Sequence, residues 1–305
     1  MSSRQDSTLC GLRVRSAFPL PEALAWAGEA DHPVDLTFVP GRVPEALDDP
    51  IQQGPLVGLS RDGAYHLRIP GLARFLVPPE GRSVIVDAEV SPDTADLRLF
   101  LLTPCLDAVM ERRGYLVLTG AVVVVKGRTV ALLGKVGLGR SPLVAALLER
   151  GHAFLSAETC ILTLSGDPPR AVPSHPDLLL HEKASGVFGW GGVRQTAVRK
   201  GVPRLHCPAP HRFLDAPRPV DAMVVTATSD GVDAPGLQAL RGTEGMSRLL
   251  DAGHGHGLAR LPAQGRRFME LATRFVADRR ASILHIGGGT EGLRQAACDL
   301  EEARA

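Results

Sequence analysis

The stretch Thr129-Val-Ala-Leu-Leu-Gly-Lys-Val-Gly-Leu-Gly-Arg-Ser-Pro-Leu-Val-Ala-Ala-Leu-Leu-Glu-Arg150 decides the fold. Its first five residues are almost continuously apolar, which is typical of a strand covered on both faces. Three glycines follow between Gly134 and Gly139, and from Ser141 the apolar residues predict a helix that ends at Arg150. The run Ala153-Phe-Leu-Ser156 then predicts another strand. A strand, a glycine loop, a helix and a strand in this order indicate an α/β core.

Upstream of this stretch the sequence predicts a β-rich segment. Asp35–Val39 and Ala64–Ile69 alternate apolar and polar residues with period two, as expected of half-buried antiparallel strands. The residues Arg61-Asp-Gly63 are a hairpin signal, and two further strands are predicted over Ala73–Val77 and Ser83–Val86. We therefore predict a small β-rich N-terminal module over residues 1–92 and an α/β core over residues 93–305.

Helical spacing of apolar residues predicts a helix between Leu97 and Arg113, which Pro104 should bend or split and which Gly114 should end. The later predicted elements are the strands Tyr115–Leu118, Ala121–Val125, Val220–Thr226 and Ser282–Ile286 and the helices Arg266–Arg280 and Thr290–Ala303.

Composition excludes several classes of protein. The chain has 305 residues, and 34 Lys and Arg against 33 Asp and Glu leave a formal net charge of +1, without the basic excess usual for nucleic-acid or membrane partners. The five cysteines are scattered and include no C-x-x-C pair, which argues against a disulfide framework or a cysteine zinc site. With no signal-like N-terminus and no apolar run of membrane-spanning length, we expect a cytoplasmic protein.

The glycine loop has the spacing of the phosphate-binding motif G-x-x-x-x-G-K-[ST], with Arg140 where the motif has lysine. Glycines allow backbone N–H groups to surround a polyphosphate, and the following helix directs its positive end to the same place. We predict that ATP, if bound, contacts Gly134, Lys135, Gly137, Leu138, Gly139, Arg140 and Ser141. The alternative is a glycine-rich turn retained for packing, and Lys135 argues against it because it offers a second cation.

Other residues have weaker signals. His254-Gly-His256 has no third ligand nearby, so a loop is favoured over a metal site. Gly287-Gly-Gly289 is interpreted as a strand-to-helix turn rather than an anion site, and His285 as a core histidine. The pairs Glu182-Lys183 and Arg199-Lys200 are more easily explained as solvated loops than as parts of an acceptor site.

Over roughly residues 60–180 the chain resembles the HPr kinase-like proteins, bacterial P-loop serine kinases related to ATP-dependent phosphoenolpyruvate carboxykinase. The resemblance rests on the glycine loop and on five further runs, namely Arg74–Val77, Leu97–Leu102, Glu111–Leu118, Leu148–His152 and Phe154–Ser156. The β-rich front and the lack of a large separate N-terminal domain resemble the shorter HPr kinase-related branch. Members of that branch are often encoded beside peptide-modifying enzymes. A likeness of the loop alone to the chromosome-partitioning ATPases finds no support downstream.

The resemblance implies site residues and also shows three departures. The family's strand before the loop ends in His-Ala or His-Gly, where this chain has Thr119-Gly120, and its loop lysine is Arg140 here. The family's paired aspartates correspond to Ala157-Glu158. Glu158 is then the remaining catalytic carboxylate together with the cation Arg140, and Ser141 and Glu158 are the expected Mg²⁺ ligands.

Two functions remain open from the sequence. The first is a degenerate kinase, or pseudokinase, that binds a peptide or protein partner, and possibly nucleotide, in a peptide-modification or regulatory pathway. The second is an active kinase that uses ATP and Mg²⁺ to phosphorylate a hydroxyl of a peptide or protein. A homo-oligomer is expected from the family resemblance alone.

Overall fold

The computed structural model describes residues 6–135, 137–190, 196–199, 202–229, 236–253 and 261–303. The predicted α/β class is confirmed, with large mixed sheets and few helices. The chain forms two compact units, Met1–Val117 with Gly257–Gln264, and Leu118–His256 with Gly265–Ala305. The first unit thus includes the helical segment Ala95–Arg112. The boundary at residue 92 stays a prediction.

The first unit contains one sheet of nine strands, in the order β3-β1-β2-β4-β9-β8-β7-β6-β5. The strands are β1 (Ser7–Leu9), β2 (Leu12–Ser16), β3 (Leu24–Ala25), β4 (Leu36–Pro40), β5 (Pro50–Gln53), β6 (Val57–Ser60), β7 (Tyr65–Ile69), β8 (Ala73–Val77) and β9 (Ser83–Ala88). Large apolar side chains such as Phe38, Tyr65 and Phe75 are fully buried in this unit.

One expectation for this sheet was wrong. Strand β4 pairs in parallel with both β2 and β9, although its alternating pattern suggested an antiparallel partner. Alternation reports which face of a strand is buried and carries no information on the direction of its neighbour. The predicted hairpin signal Arg61-Asp-Gly63 is confirmed, since it joins β7 to the antiparallel strand β6 that precedes it.

Pro104 has the predicted effect on the helix after the sheet. Helix α1 (Ala95–Phe100) continues into a π-helical segment, Leu101–Cys105, which contains the proline, and helix α2 (Leu106–Arg112) follows. A proline lacks the N–H for the regular bond, so the wider π-helical turn accommodates it. Gly114 then reverses the chain with a φ of 87°.

The second unit is built on a sheet in the order β18-β14-β13-β10-β11-β19-β21-β20, with β12 paired to β10. Its strands are β10 (Leu116–Val125), β11 (Arg128–Leu133), β12 (Ala153–Ser156), β13 (Thr159–Thr163), β14 (Arg170–Val172), β18 (Arg218–Pro219), β19 (Ala222–Thr228), β20 (Gly236–Ala239) and β21 (Ala281–Ile286). The predicted strands Tyr115–Leu118 and Ala121–Val125 are one continuous strand, since Thr119 and Gly120 keep the extended backbone of β10.

A separate sheet of three antiparallel strands, in the order β15-β17-β16, completes this unit. Its strands are β15 (Asp177–His181), β16 (Thr196–Arg199) and β17 (Val202–Pro208). The helices are α3 (Arg140–Glu149), α4 (Glu182–Val187), α5 (Gly242–Gly253), α6 (Pro262–Ala277) and α7 (Gly289–Glu302), with a short 3₁₀ turn at Pro210–Arg212. Among the described residues, no helix is both long and apolar enough to cross a bilayer.

The parallel strands determine where a ligand site can form. Strands β11, β19 and β21 are mutually parallel neighbours, so their carboxyl ends lie at one edge of the sheet. The glycine loop leaves β11 there, Thr228 and Ser229 end β19, and Gly287–Gly289 end β21. In open α/β sheets this edge is where ligands bind. Helix α3 covers the sheet with a fully buried apolar face that includes Leu143, Val144 and Leu147.

Candidate functional site

The glycine loop begins at a position that accepts only glycine. A Cβ on Gly134 would lie 2.4 Å from Oγ1 of Thr226, a distance that real Cβ atoms essentially never show. Thr226 holds the neighbouring strand in place, since its hydroxyl donates to the carbonyl of Leu133 at 3.3 Å. The backbone at the end of β11 therefore packs directly against the hydroxyl of Thr226 on β19.

The rest of the loop turns on two glycines with positive φ angles. Gly137 has φ 94° and Gly139 has φ 81°, values that other residues adopt only with strain. Gly139 is the N-cap of α3 and accepts the first helical bond from the amide of Leu143 at 2.9 Å. Because no side chain caps this end, the first amides of α3 remain available to an anion. Val136 lies outside the described residues.

Arg140, at the position of the motif lysine, turns back into the loop. Its side chain is only 5% exposed, and Nη1 donates to the carbonyl of Gly134 at 2.7 Å. Burial lowers the pKa of this guanidinium, while the nearby charge of Glu158 opposes the shift. An extended lysine would project its charge into the space above the loop, whereas this arginine uses one arm to fasten the two ends of the loop together.

Ser141 and Glu158, predicted as a pair, are in contact. Oγ of Ser141 donates to Oε1 of Glu158 at 3.1 Å. Glu158 sits in the turn between β12 and β13, and its carbonyl accepts from the amide of Gly120 at 3.3 Å, which holds the turn against β10. Its other oxygen, Oε2, lies 3.9 Å from Nη2 of Arg140.

Sequence reasoning missed two residues of this site, Arg204 and His181. Nη2 of Arg204 lies 3.5 Å from Oε2 of Glu158, and the residue faces His181 across the β15–β17 ladder. Both residues lie on strands that the sequence analysis did not assign. The signal was the alternation in Val202-Pro-Arg-Leu-His-Cys-Pro208, where Arg204 and His206 share one face and the apolar Leu205 and Cys207 the other.

These residues enclose a cavity of about 350 Å³, called the loop cavity. The polar side chains that line it are Lys135, Arg140, Ser141, Glu158, His181 and Arg204. Apart from His181, the described charged residues are three cations and one carboxylate, so their formal charges sum to +2. Lys135 is exposed and Arg204 is 32% exposed, so both can reach a ligand that Arg140 cannot.

A second cavity of about 390 Å³, called the apolar cavity, lies on the other side of the loop. It shares Gly137, Gly139 and Pro142 with the loop cavity. Its walls carry Leu138, Val187, Phe188, Ile286 and Leu293, together with Lys183, Thr228, Ser229, Thr290 and the Gly287–Gly289 turn. The two cavities therefore share a wall, the loop cavity carrying most of the charged groups and the apolar cavity combining apolar side chains with hydroxyl groups and Lys183.

The expected Mg²⁺ ligands do not fit a resident divalent cation. A hydroxyl and a carboxylate oxygen are ligand types that Mg²⁺ uses. In this site, however, the hydroxyl of Ser141 donates its hydrogen bond to Glu158, and the carboxylate of Glu158 lies near the guanidinium groups of Arg140 and Arg204. In the part of the chain that the structure describes, no group of three His, Cys, Asp or Glu side chains is arranged to hold a metal ion. The charge of the cavity favours an anion.

The remaining sequence candidates lie elsewhere. Ala157 is 2% exposed, so the position of the absent aspartate is filled by a buried methyl group. Lys183 lines the apolar cavity. His285 is buried in β21 as predicted, but its Nδ1 has no hydrogen-bond partner among the described residues, so the expectation of a satisfied core histidine is confirmed only for burial. His254, His256 and Lys200 lie outside the described residues.

Comparisons with known proteins find a likeness to solved structures. No family model matches the chain, and no curated protein matches it. Among solved structures, the chain is similar to the HPr(Ser) kinase/phosphatase from Coxiella burnetii, with 12% identity over 53% of this chain and 97% of that one. The TM-score is 0.28. This is a distant likeness of fold and says nothing of activity.

Proposed function

We propose that the protein is an HPr kinase-like P-loop protein whose site binds the phosphates of a nucleotide but has lost ordinary phosphoryl transfer. In this proposal it acts by binding a peptide or protein partner in a peptide-modification or regulatory pathway. A bacterial origin, a cytoplasmic location and a homo-oligomeric state belong to the proposal through the sequence resemblance.

The observation that carries the loss of transfer is the position of Arg140. The motif lysine contributes to catalysis by neutralising charge on the transferring phosphate. The guanidinium of Arg140 is buried and bonded to Gly134 instead. The absence of a carboxylate at Ala157 acts in the same direction, because Glu158 is the one acidic group among the described residues that line the loop cavity.

The paired cavities support a nucleotide as the ligand. A nucleotide joins a polyanion to a flat, largely apolar base, and such a molecule needs one cationic and one apolar compartment. The loop cavity holds Lys135 and Arg204, and the apolar cavity places Phe188 and Ile286 across the shared glycine wall. The uncapped amides of α3 lie between the two compartments.

One observation favours an active kinase as the second candidate. Glu158 lies next to the first turn of α3 and lines the same cavity as His181 and Arg204. A carboxylate at this place is able to accept the proton of a serine hydroxyl that enters the cavity. Arg204 would then stabilise the transferring phosphate in place of Arg140.

Calorimetric titration of the full chain with ADP and with ATP tests the binding proposal. We expect saturable binding of both, and at least tenfold weaker binding in Lys135→Ala, because Lys135 is an exposed cation of the loop cavity. Arg248→Ala is the matched control, since Arg248 pairs with Glu244 on the exposed surface of α5. The absence of binding of either nucleotide would overturn the proposal.

Transfer from radiolabelled ATP to a library of serine-containing peptides, in the presence of Mg²⁺, separates the two candidates. We expect label no higher than in Glu158→Ala. Label that is transferred by the native chain and lost in Glu158→Ala would establish the kinase and refute the degenerate site.

A further inference from the structure

We propose that the loop cavity binds the phosphates of its nucleotide without a divalent cation, with Arg204 and Lys135 in the place that a metal ion would occupy. This inference rests on the proposed nucleotide binding and concerns what neutralises the phosphate charge.

The first step is the state of Glu158. One of its oxygens accepts from Ser141 at 3.1 Å, and the other lies 3.5 Å from Arg204 and 3.9 Å from Arg140. The carboxylate is therefore already neutralised by groups of the protein. A metal ion that bound here would have to displace the hydroxyl and approach two guanidinium groups.

The second step is the difference in exposure and bonding between Arg140 and Arg204. Arg140 is fixed in the loop, and its Nε is buried without a hydrogen-bond partner. Arg204 is one-third exposed, and it comes from the three-stranded sheet rather than from the loop. Besides Glu158 it touches the carbonyl of Leu179 at 3.4 Å, a long contact that a stronger acceptor can replace. A guanidinium binds phosphate through two parallel N–H groups.

The third step is the charge of the cavity. Its described charged residues sum to +2, and the uncapped end of α3 adds the positive end of a helix dipole. An ADP or pyrophosphate anion enters this field favourably, whereas a divalent cation enters it only after the anion. The cavity thus supplies from side chains the charge that Mg²⁺ supplies in metal-dependent sites.

Titration of the full chain with ADP and with inorganic pyrophosphate, in EDTA and in Mg²⁺ at matched ionic strength, tests the inference. We expect the two dissociation constants for each ligand to agree within about threefold. Arg204→Ala should weaken binding in EDTA at least tenfold, and Arg204→Lys should restore only part of it. Binding that is more than tenfold tighter in Mg²⁺ would overturn the inference and leave the proposed nucleotide binding intact. No binding in either buffer would overturn both.

The variant Glu158→Gln makes the test independent of the arginine. It keeps the shape of the side chain and removes the one carboxylate charge among the described residues of the cavity. We expect tighter ADP binding in EDTA and no loss in Mg²⁺. Loss of binding in Mg²⁺ would show a metal held by Glu158 and refute the inference. Glu182→Gln, an exposed carboxylate on α4, is the matched control and should leave both constants unchanged.

Discussion

The guanidinium of Arg140 has two polar neighbours in the structure, the carbonyl of Gly134 at 2.7 Å and the carboxylate of Glu158 at 3.9 Å. Both neighbours are groups of the protein itself. The arginine at the position of the motif lysine therefore has a structural role in the loop. The arginine joins the two ends of a loop that contains three glycines. Ordering such a loop costs much backbone entropy, and the bond from Arg140 offsets part of that cost.

Arg140→Ala tests this structural role. We expect the second unit to lose about 1–3 kcal/mol of unfolding free energy, because the buried carbonyl of Gly134 loses its donor. Urea denaturation with a probe in this unit measures the loss. Arg140→Lys should lose less, since an ammonium group retains the charge and one donor. An unchanged denaturation midpoint in Arg140→Ala would show that the arginine does not hold the loop.

The contact between Gly134 and Thr226 gives a second prediction. Gly134→Ala places a methyl group against the threonine hydroxyl, and we expect a loss of about 1–3 kcal/mol from this overlap. Thr226→Ala removes the hydroxyl, so the double variant should recover part of the loss. A double-mutant cycle in urea measures the coupling, which should exceed about 0.5 kcal/mol. Additive effects would contradict the contact.

At the scale of elements, the carboxylate of Glu301 on α7 links this helix to the end of α3. Glu301 accepts two bonds from Arg150 and one contact from His152, all at 2.7 Å. These partners, led by the Arg150 hydrogen bonds, lower the pKa of Glu301 from 4.5 to about 2. Since the folded pKa is depressed, the stabilisation is complete above pH 4.5 and is lost as the pH falls toward 2.

Glu301→Gln should therefore flatten the acid limb of the stability curve. We expect a loss below about 1 kcal/mol at pH 7, because Arg150 is 36% exposed and solvent screens the pair. Between pH 4.5 and 2 the native chain should lose this advantage, and the two proteins should converge. Thermal unfolding at a series of pH values measures it. A constant difference over this range would contradict the role of the carboxylate charge.

Local patterns predicted the elements on which the site is built. The succession from β11 through α3 to β12 was predicted within one or two residues, because a buried strand, a glycine loop and a run of apolar helix-forming residues leave clear local signals. The parallel pairing of β4 was not predicted, since the direction of a neighbour is decided by distant segments such as β2 and β9.

The same distinction applies to the candidate site. The loop residues and Glu158 could be found from spacing and resemblance, and the structure brings Ser141 and Glu158 together. Arg204 could not be found in this way, because it reaches the cavity from a sheet whose strands lie far along the chain. The inward turn of Arg140 was also hidden, since a motif specifies which residue is present and not where its side chain points.

The charge of the whole molecule and that of its cavity differ. The chain as a whole is nearly neutral at +1, while the described charged residues of the loop cavity sum to +2. Long-range attraction of polyanions is therefore not expected from the overall charge, and the positive field of these residues is local to the cavity.

The cysteines provide a way to follow the two units separately. Cys10 and Cys105 are buried in the first unit, and Cys160 and Cys207 in the second. Burial raises the pKa of the thiols of Cys10 and Cys105 and brings those of Cys160 and Cys207 to about 12, so none of the four supplies thiolate in the folded state. Cys298 is partly exposed.

Pulsed alkylation of the unmodified chain followed by peptide mapping should then resolve two unfolding rates. We expect Cys298 to react first at pH 8, and the other four only as their own unit opens. If all five react together in native buffer, the two units do not protect their thiols. Otherwise each unit carries two buried cysteines that report its own opening over time. If a nucleotide slows the alkylation of Cys160 and Cys207 alone, it binds to the second unit, and no introduced label is needed to show this.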